Sequence, residues 1–157
     1  MATEIERKFL VTSDACREGA VGTRIAQGYL SMDPDRTVRV RIAGEKSWLT
    51  IKGRSAGISR AEFEYEIPLE EARDLLAMCL PSVIDKTRYG IRFSGHLWEV
   101  DVFHGAHEGL VLAEVELDDA STSPPLPPWV GREVSNDPRY FNANLAKCDS
   151  LGALNGL

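Results

Sequence analysis

Apolar and polar residues alternate with a period of two over most of the chain, the pattern of half-buried β-strands. Eight segments carry it: Ala2–Val11, Thr23–Met32, Thr37–Ala43, Ser47–Arg54, Ser59–Ile67, Ser82–Phe93, Leu97–Phe103 and Leu110–Leu117. Turn-forming runs separate several of them, including Asp33-Pro34-Asp35, Ala43-Gly44-Glu45, Ser94-Gly95-His96 and His107-Glu108-Gly109. Three stretches change period. Asp14–Arg17 predicts a short turn that Ser13 can cap. Leu69–Cys79 sets Leu69, Ala72, Leu75, Leu76 and Cys79 at helical spacing behind early acids. Tyr140–Lys147 predicts a third helical piece. The run Pro124-Pro125-Leu126-Pro127-Pro128 can continue neither helix nor ladder, and is expected to carry the chain across one end of the sheet.

Which residues share a strand face is more informative than the strands themselves. Glu4, Glu6 and Lys8 lie together, opposite Ile5 and Phe9 with Arg7. Arg39 and Arg41 oppose Val38, Val40 and Ile42, and Lys52 and Arg54 oppose Leu49 and Ile51. Glu62, Glu64 and Glu66 oppose Phe63 and Tyr65, and Lys86 pairs with Arg88. Glu99 and Asp101 oppose Trp98, Val100 and Val102, and Glu114 and Glu116 oppose Ala113 and Val115. A solvated outer face explains any one of these strands. It does not explain all of them, because Ser, Thr, Asn and Gln are scarce at these positions and the signs are blocked by strand. Eight antiparallel strands can close a barrel. The expected architecture is therefore α+β but mainly β: a closed eight-stranded antiparallel tunnel with a charged interior and a few helices packed outside.

Composition narrows the ligand. Lys and Arg number 18 and Asp and Glu 24, a net charge of −6. That balance argues against a general nucleic-acid binder. The inward set is nearly neutral. Glu4, Glu6, Glu62, Glu64, Glu99, Asp101, Glu114 and Glu116 are eight acids, facing the seven bases Lys8, Arg39, Arg41, Lys52, Arg54, Lys86 and Arg88. Clustered bases suit a phosphate chain, and clustered carboxylates suit a hard divalent cation. One cavity holding both suits a metal–polyphosphate complex.

The 157 residues are expected to form one domain, 1–157. No apolar run is long enough for a bilayer span, and no secretory h-region opens the chain. Three scattered cysteines, Cys16, Cys79 and Cys148, predict a reducing, cytoplasmic setting. No P-loop motif is present. His104 and His107 lack the further ligands of a metal site.

The segment Glu4-Ile5-Glu6-Arg7-Lys8 is an E-x-E-x-K signature and resembles the CYTH superfamily, the triphosphate tunnel metalloenzymes. The resemblance continues through Arg39-Val40-Arg41, Lys52, Glu62-Phe63-Glu64-Tyr65-Glu66, Lys86-Thr87-Arg88, Glu99-Val100-Asp101 and Glu114-Val115-Glu116. The opening Glu-Ile-Glu-Arg-Lys-Phe-Leu-Val, Gln27-Gly28-Tyr29-Leu30 and Trp129-Val130-Gly131-Arg132-Glu133 look like the short bacterial branch associated with inorganic triphosphatase activity. The resemblance implies a tunnel that binds triphosphate and divalent metal, Mg²⁺ or Mn²⁺, with two ions when substrate is bound.

On that reading Glu4, Glu6 and Glu116 hold the principal ion. Glu62, Glu64, Asp101 and Glu114 orient waters on it or on a second ion. Lys8, Arg39, Arg41, Lys52, Lys86 and Arg88 grip phosphate oxygens, with Arg54 near the strand end. Lys8 or Lys86 steadies the leaving phosphate, and a carboxylate such as Glu64 or Asp101 positions the water. Tyr29 is placed either at a tunnel mouth or in the core, and the Tyr140–Lys147 helix either in one tunnel end or on the outer wall. The leading expectation is hydrolysis of tripolyphosphate to diphosphate and phosphate. The alternatives are cyclic AMP formation from ATP, hydrolysis of thiamine or nucleoside triphosphates, and non-catalytic polyphosphate sensing. The expected partner is a small triphosphate, without nucleic acid or membrane, and exposed apolar strands allow a homodimer.

Overall fold

The structure, a computed structural model, describes residues 2–79 and 83–145. Nine strands are present among them: β1 (Ala2–Val11), β2 (Gly22–Ser31), β3 (Arg36–Ala43), β4 (Lys46–Gly53), β5 (Ser59–Glu66), β6 (Ile84–Phe93), β7 (His96–Phe103), β8 (Val111–Glu116) and β9 (Val130–Glu133). The order is β5-β4-β3-β2-β6-β7-β8-β1-β9, and β5 also pairs with β1. That last pairing closes an eight-stranded antiparallel barrel. Helix α1 (Leu69–Ala77) and a one-turn α2 (Asn142–Leu145) complete the regular structure, with short 3₁₀ turns between. No described helix is long and apolar enough to cross a membrane.

Closure rests on β1. Along one edge Glu6 to Leu10 pair with β8, setting Glu6 against Glu116 and Lys8 against Glu114. Along the other edge, Ala2 to Ile5 pair with β5, and Phe9 and Val11 pair with β9. The ninth strand is the element the alternation missed. Val130–Glu133 follows the proline run and is only four residues long, too short for a period to register. Its neighbour Val134 donates to the Lys8 carbonyl at 2.8 Å.

The apolar face turns outward, as the alternation requires, and is covered in part, while Phe63 and Tyr65 of β5 stay exposed. Phe9, Trp98, Val100, Ala113, Val115, Leu117 and Trp129 form a buried outer layer on β1, β7 and β8. Trp98 sits edge-on to Trp129 at 5.9 Å and against Phe9 at 5.5 Å. Helix α1 packs across β2, β3 and β4. Gly28 makes that approach tight, since a Cβ there would meet the Cys79 Cβ at 2.8 Å.

The interior departs from a uniformly charged lumen. At one end the inward positions become apolar: Leu10, Tyr29, Ile84, Phe103 and Leu112 cluster with Val134, Tyr140 and Leu145 from the C-terminal segment. That segment therefore enters the barrel end and does not pack on its outer wall. Residues 146–147 of the expected third helix, Ser82 of the expected sixth strand and Cys148 lie outside the described residues.

Removing the outer-layer centre tests what closes the barrel. Trp98→Ala is expected to lower unfolding stability by about 3–5 kcal/mol in urea titration. A loss under about 1 kcal/mol would show that the outer aromatic layer contributes little to closure.

Candidate functional site

A cavity of about 380 Å³ opens at the barrel end beside the β2–β3 turn, the β4–β5 loop and the C-terminal segment. Glu4, Glu6 and Lys8 of β1 line one wall; Arg39 of β3 and Lys52 of β4 line the other. Tyr29 reaches it from β2, so the tyrosine belongs both to the cavity and to the apolar end cluster. Arg54 lines the mouth but points to solvent, 72% exposed and ion-paired with Asp35.

The remaining charged residues form a packed layer alongside. Asp101, 1% exposed, accepts from Lys86 Nζ at 2.8 Å and from Arg88 Nε and Nη2 at 2.7 and 2.8 Å. Arg88 also donates to Glu99 and lies 3.8 Å from Glu114. The Lys86 ammonium sits 5.5 Å from the Phe103 ring centre. Glu64 accepts from Thr50 and lies 3.7 Å from Arg39, on the part of β5 that runs past the start of β1. Arg41, Glu62, Glu64, Lys86, Arg88, Asp101, Glu114 and Glu116 do not line the cavity.

The acids fall into two electrostatic groups. Burial opposes ionisation of Glu114, but Lys8, Arg88 and Lys86 outweigh it and hold the carboxyl well below the usual range. Asp101 is lowered in the same way, burial being overcome by Lys86 and Arg88. The other group is raised. Burial, then Glu114 and Glu4, pushes Glu6 up to about 8, and the Glu6 carboxyl makes no hydrogen bond or ion pair with any described residue. Glu4 is raised by burial and a hydrogen bond with Glu62, even though Lys52 Nζ contacts both its oxygens at 2.9 Å. Glu116, facing Glu6 in register, is raised by burial, Glu4 and Glu99.

Glu4, Glu6 and Glu116 thus gather carboxyl oxygens that burial and mutual repulsion keep from ionising freely, and among the described residues only Glu4 of the three has a base, Lys52, paired with it. Hard oxygen donors in that state fit a divalent cation. No three such groups among the described residues already converge at coordination distance.

Among the bases, burial and then Arg88 and Arg41 outweigh the attraction of Asp101 and depress Lys86 to about 7. Burial, Arg39 and Arg88 depress Arg41 to about 9. Lys8 is raised: burial disfavours its charge, but Glu114, Glu6 and Asp101 prevail. Its ammonium donates to the Tyr140 carbonyl at 2.8 Å.

Several lining residues escaped the strand-face reading. Arg60 shares the inward parity of Glu62 and was legible from it. It lines the mouth, donating to the Gly53 carbonyl at 2.7 Å and to Thr37 at 3.2 Å. Ser135 and Asn142 come from the C-terminal segment, where no periodicity points to them.

Glu6 gives a test in the ligand-free protein. Its proton is held more tightly in the folded state (about 8) than at the ordinary 4.5, so stability falls as pH rises through that window. In chelator, Glu6→Gln is expected to be more stable than wild type at pH ~9 by at least about 1 kcal/mol, or about 2–4 °C in melting temperature. The two should be equally stable near pH ~4.5. Equal melting at both pH values would mean that the carboxylate is already compensated.

The comparisons with known proteins agree with this geometry. The chain is 51% identical over 148 residues to a protein named inorganic triphosphatase from Acetivibrio thermocellus, covering 94% of this chain and 95% of that one. It is 40% identical over 149 residues to an inorganic triphosphatase of Nitrosomonas europaea, covering 92% and 97%. A crystal structure of an inorganic triphosphatase superposes with a TM-score of 0.66 at 36% identity, covering 93% of this chain and 95% of that one. The CYTH domain family model matches residues 2–147, and the chain belongs to the CYTH family.

Proposed function

We propose that the chain hydrolyses inorganic triphosphate to diphosphate and phosphate in a metal-dependent reaction inside the barrel. The observation that carries this is the meeting, in one cavity, of the β1 carboxyls Glu4 and Glu6, the second of them without an ion pair among the described residues, with Lys8 beside them and the cations Arg39 and Lys52 on the facing wall. The two relatives named inorganic triphosphatase support the substrate.

Glu4, Glu6 and Glu116 would hold the divalent cation, Mg²⁺ with Mn²⁺ as a substitute; when bound, it neutralises phosphate oxygens and lowers the barrier to attack. Two ions balance a bound triphosphate of roughly four charges. Arg39 grips phosphate oxygens through its guanidinium, and Lys8 and Lys52 act as point charges. Water adds to the terminal phosphorus, the bond to the bridging oxygen breaks, and the electron pair leaves with diphosphate. Lys8, next to Glu6 on the same strand face, steadies the charge on that leaving group.

The two carboxylates considered for positioning the water differ in accessibility. Asp101 is sealed by Lys86 and Arg88, so its role is to hold those cations in place. Glu64 is 42% exposed and open to water. We assign it, and not Asp101, to the proton that the attacking water releases, reached through solvent because Glu64 lies beside the cavity-lining Arg39 and not in the cavity wall itself. Lys86, wholly buried on Asp101, serves the field of the site without touching substrate.

The test is phosphate release from tripolyphosphate, ATP and thiamine triphosphate in parallel, with Mg²⁺, Mn²⁺ or chelator, and with cyclic AMP assayed in the ATP tube. Fast, metal-dependent release from tripolyphosphate is expected. Turnover of ATP alone, or cyclic AMP, would replace the substrate, and tight binding without product would make the chain a sensor. Glu6→Gln should lower kcat about 100-fold or more. Arg39→Ala should raise KM at least about tenfold, a loss of about 1.4 kcal/mol. An Arg39→Ala enzyme with wild-type KM would remove Arg39 from the substrate site.

A further inference from the structure

Most interior cations are tied to an acid. Lys8 lies beside Glu114, Lys52 on Glu4, Lys86 and Arg88 on Asp101, and Arg39 within 3.7 Å of Glu64. Arg41 is different. Among the described residues its hydrogen-bond partner is a neutral amide: its Nε donates to Gln27 Oε1 at 2.8 Å. The contact is built into the sheet, since Gln27 and Arg41 face each other in the β2–β3 register. The adjacent register pair, Tyr29 and Arg39, lines the cavity.

Gln27 is wholly buried, and only one side of its amide is used. Arg41 can only donate, so the Gln27 oxygen must face it and the NH₂ group points elsewhere. That nitrogen has no hydrogen-bond partner among the described residues, and neither has Arg39 Nε. Buried donors without acceptors are rare and costly. Two of them on neighbouring positions of one wall, beside a guanidinium with no ion pair among the described residues, suit an oxyanion.

We propose that Gln27 is a positioning residue for anion binding: its carbonyl aims the Arg41 guanidinium while leaving that charge uncommitted, and its NH₂ group adds a neutral donor for the same phosphate oxygens. The proposal rests on the triphosphate reading and deepens it by naming what holds the inner end of the phosphate chain. It also explains why an amide stands here. A carboxylate would hold Arg41 more strongly, but would cancel the charge the anion needs and remove the extra N–H.

That contrast supplies the experiment. Gln27→Glu, Gln27→Met, Arg41→Lys and the Gln27→Met/Arg41→Lys double variant are compared in steady-state kinetics on tripolyphosphate, in melting temperature, and in calorimetric binding of tripolyphosphate under chelator. Gln27→Glu is expected to melt at or above wild type while KM rises at least about tenfold and kcat changes far less. Gln27→Met should also raise KM, with a clearly smaller increment once Arg41 is already Lys, because the aiming of Arg41 is then already lost and only the N–H donor remains to be removed.

A merely structural amide predicts the reverse: Gln27→Glu active with wild-type KM, or Gln27→Met less stable with KM unchanged. Either result overturns the proposal. If Gln27→Glu fails to fold, Gln27→Met and the double variant decide alone. If the wild type turns over no tripolyphosphate, the functional reading fails on its own. The calorimetric arm then still decides: equal affinity of wild type and the Gln27 variants overturns the role, and binding at least about tenfold weaker supports it.

Discussion

Asp101 is the acid on which the interior depends. Four inward strands, β3, β4, β6 and β1, bring cations toward the barrel axis, and at short range these repel one another. Asp101 takes both Lys86 and Arg88 in hydrogen bonds shorter than 3 Å, and Glu114 takes the remaining field of Lys8 and Arg88. Stripping one partner from such a buried network leaves an uncompensated charge, which costs about 3–5 kcal/mol. The barrel can therefore turn a charged face inward only because β7 and β8 bring acids to the bases of β6 and β1.

Neutralisation on one side leaves imbalance on the other. Once Asp101 and Glu114 are satisfied, the acids at the start of β1 have Lys52 and little else. Glu6 and Glu116 face each other in register, and neither carboxyl makes an ion pair among the described residues. Arg41, on the opposite wall, makes no ion pair among the described residues and feels Asp101 and Glu114 only at longer range. The interior is thus neutral as a whole but polarised locally, with a carboxylate-rich wall on β1 and β8 and a donor-rich wall on β2 and β3. A metal-bound polyanion meets that polarity on both sides. The same logic separates residues that hold the field, Lys86 and Asp101 among them, from those that touch the cavity.

Much of the fold was legible in the chain. All eight barrel strands follow from period-two alternation to within a residue or two, because a strand with one face inside and one outside must alternate. The cavity-lining carboxyls and cations of β1, β3 and β4 follow from parity, and the roles proposed for them from the E-x-E-x-K resemblance. Parity, however, reports a face and not a depth. It places Lys8 and Leu10, or Asp101 and Phe103, on one inward face, yet the first of each pair lies among charges and the second in the apolar end cluster. Parity also could have found Arg60, on the face of Glu62. It could not find Ser135 or Asn142, which reach the cavity from a segment without a period. Gln27 was visible only as part of a family-like motif, since an amide on a strand face carries no chemical signal until its partner is known.

The residues themselves determined that this chain forms a charged-in, apolar-out antiparallel barrel, since no other arrangement hides so many apolar residues while keeping the opposite ionic faces paired. They also determined the kinds of ligand it can take. Only the tertiary structure decided which acid meets which base. That choice is made by strand register and by the closure of β1 on β5 and β8, contacts between positions far apart in sequence. The energy of a charge depends on its neighbours within a few ångströms. Glu6 and Glu114 are alike in the sequence, one residue type on one kind of strand face, and the fold makes one an unmatched carboxylate and the other a saturated one.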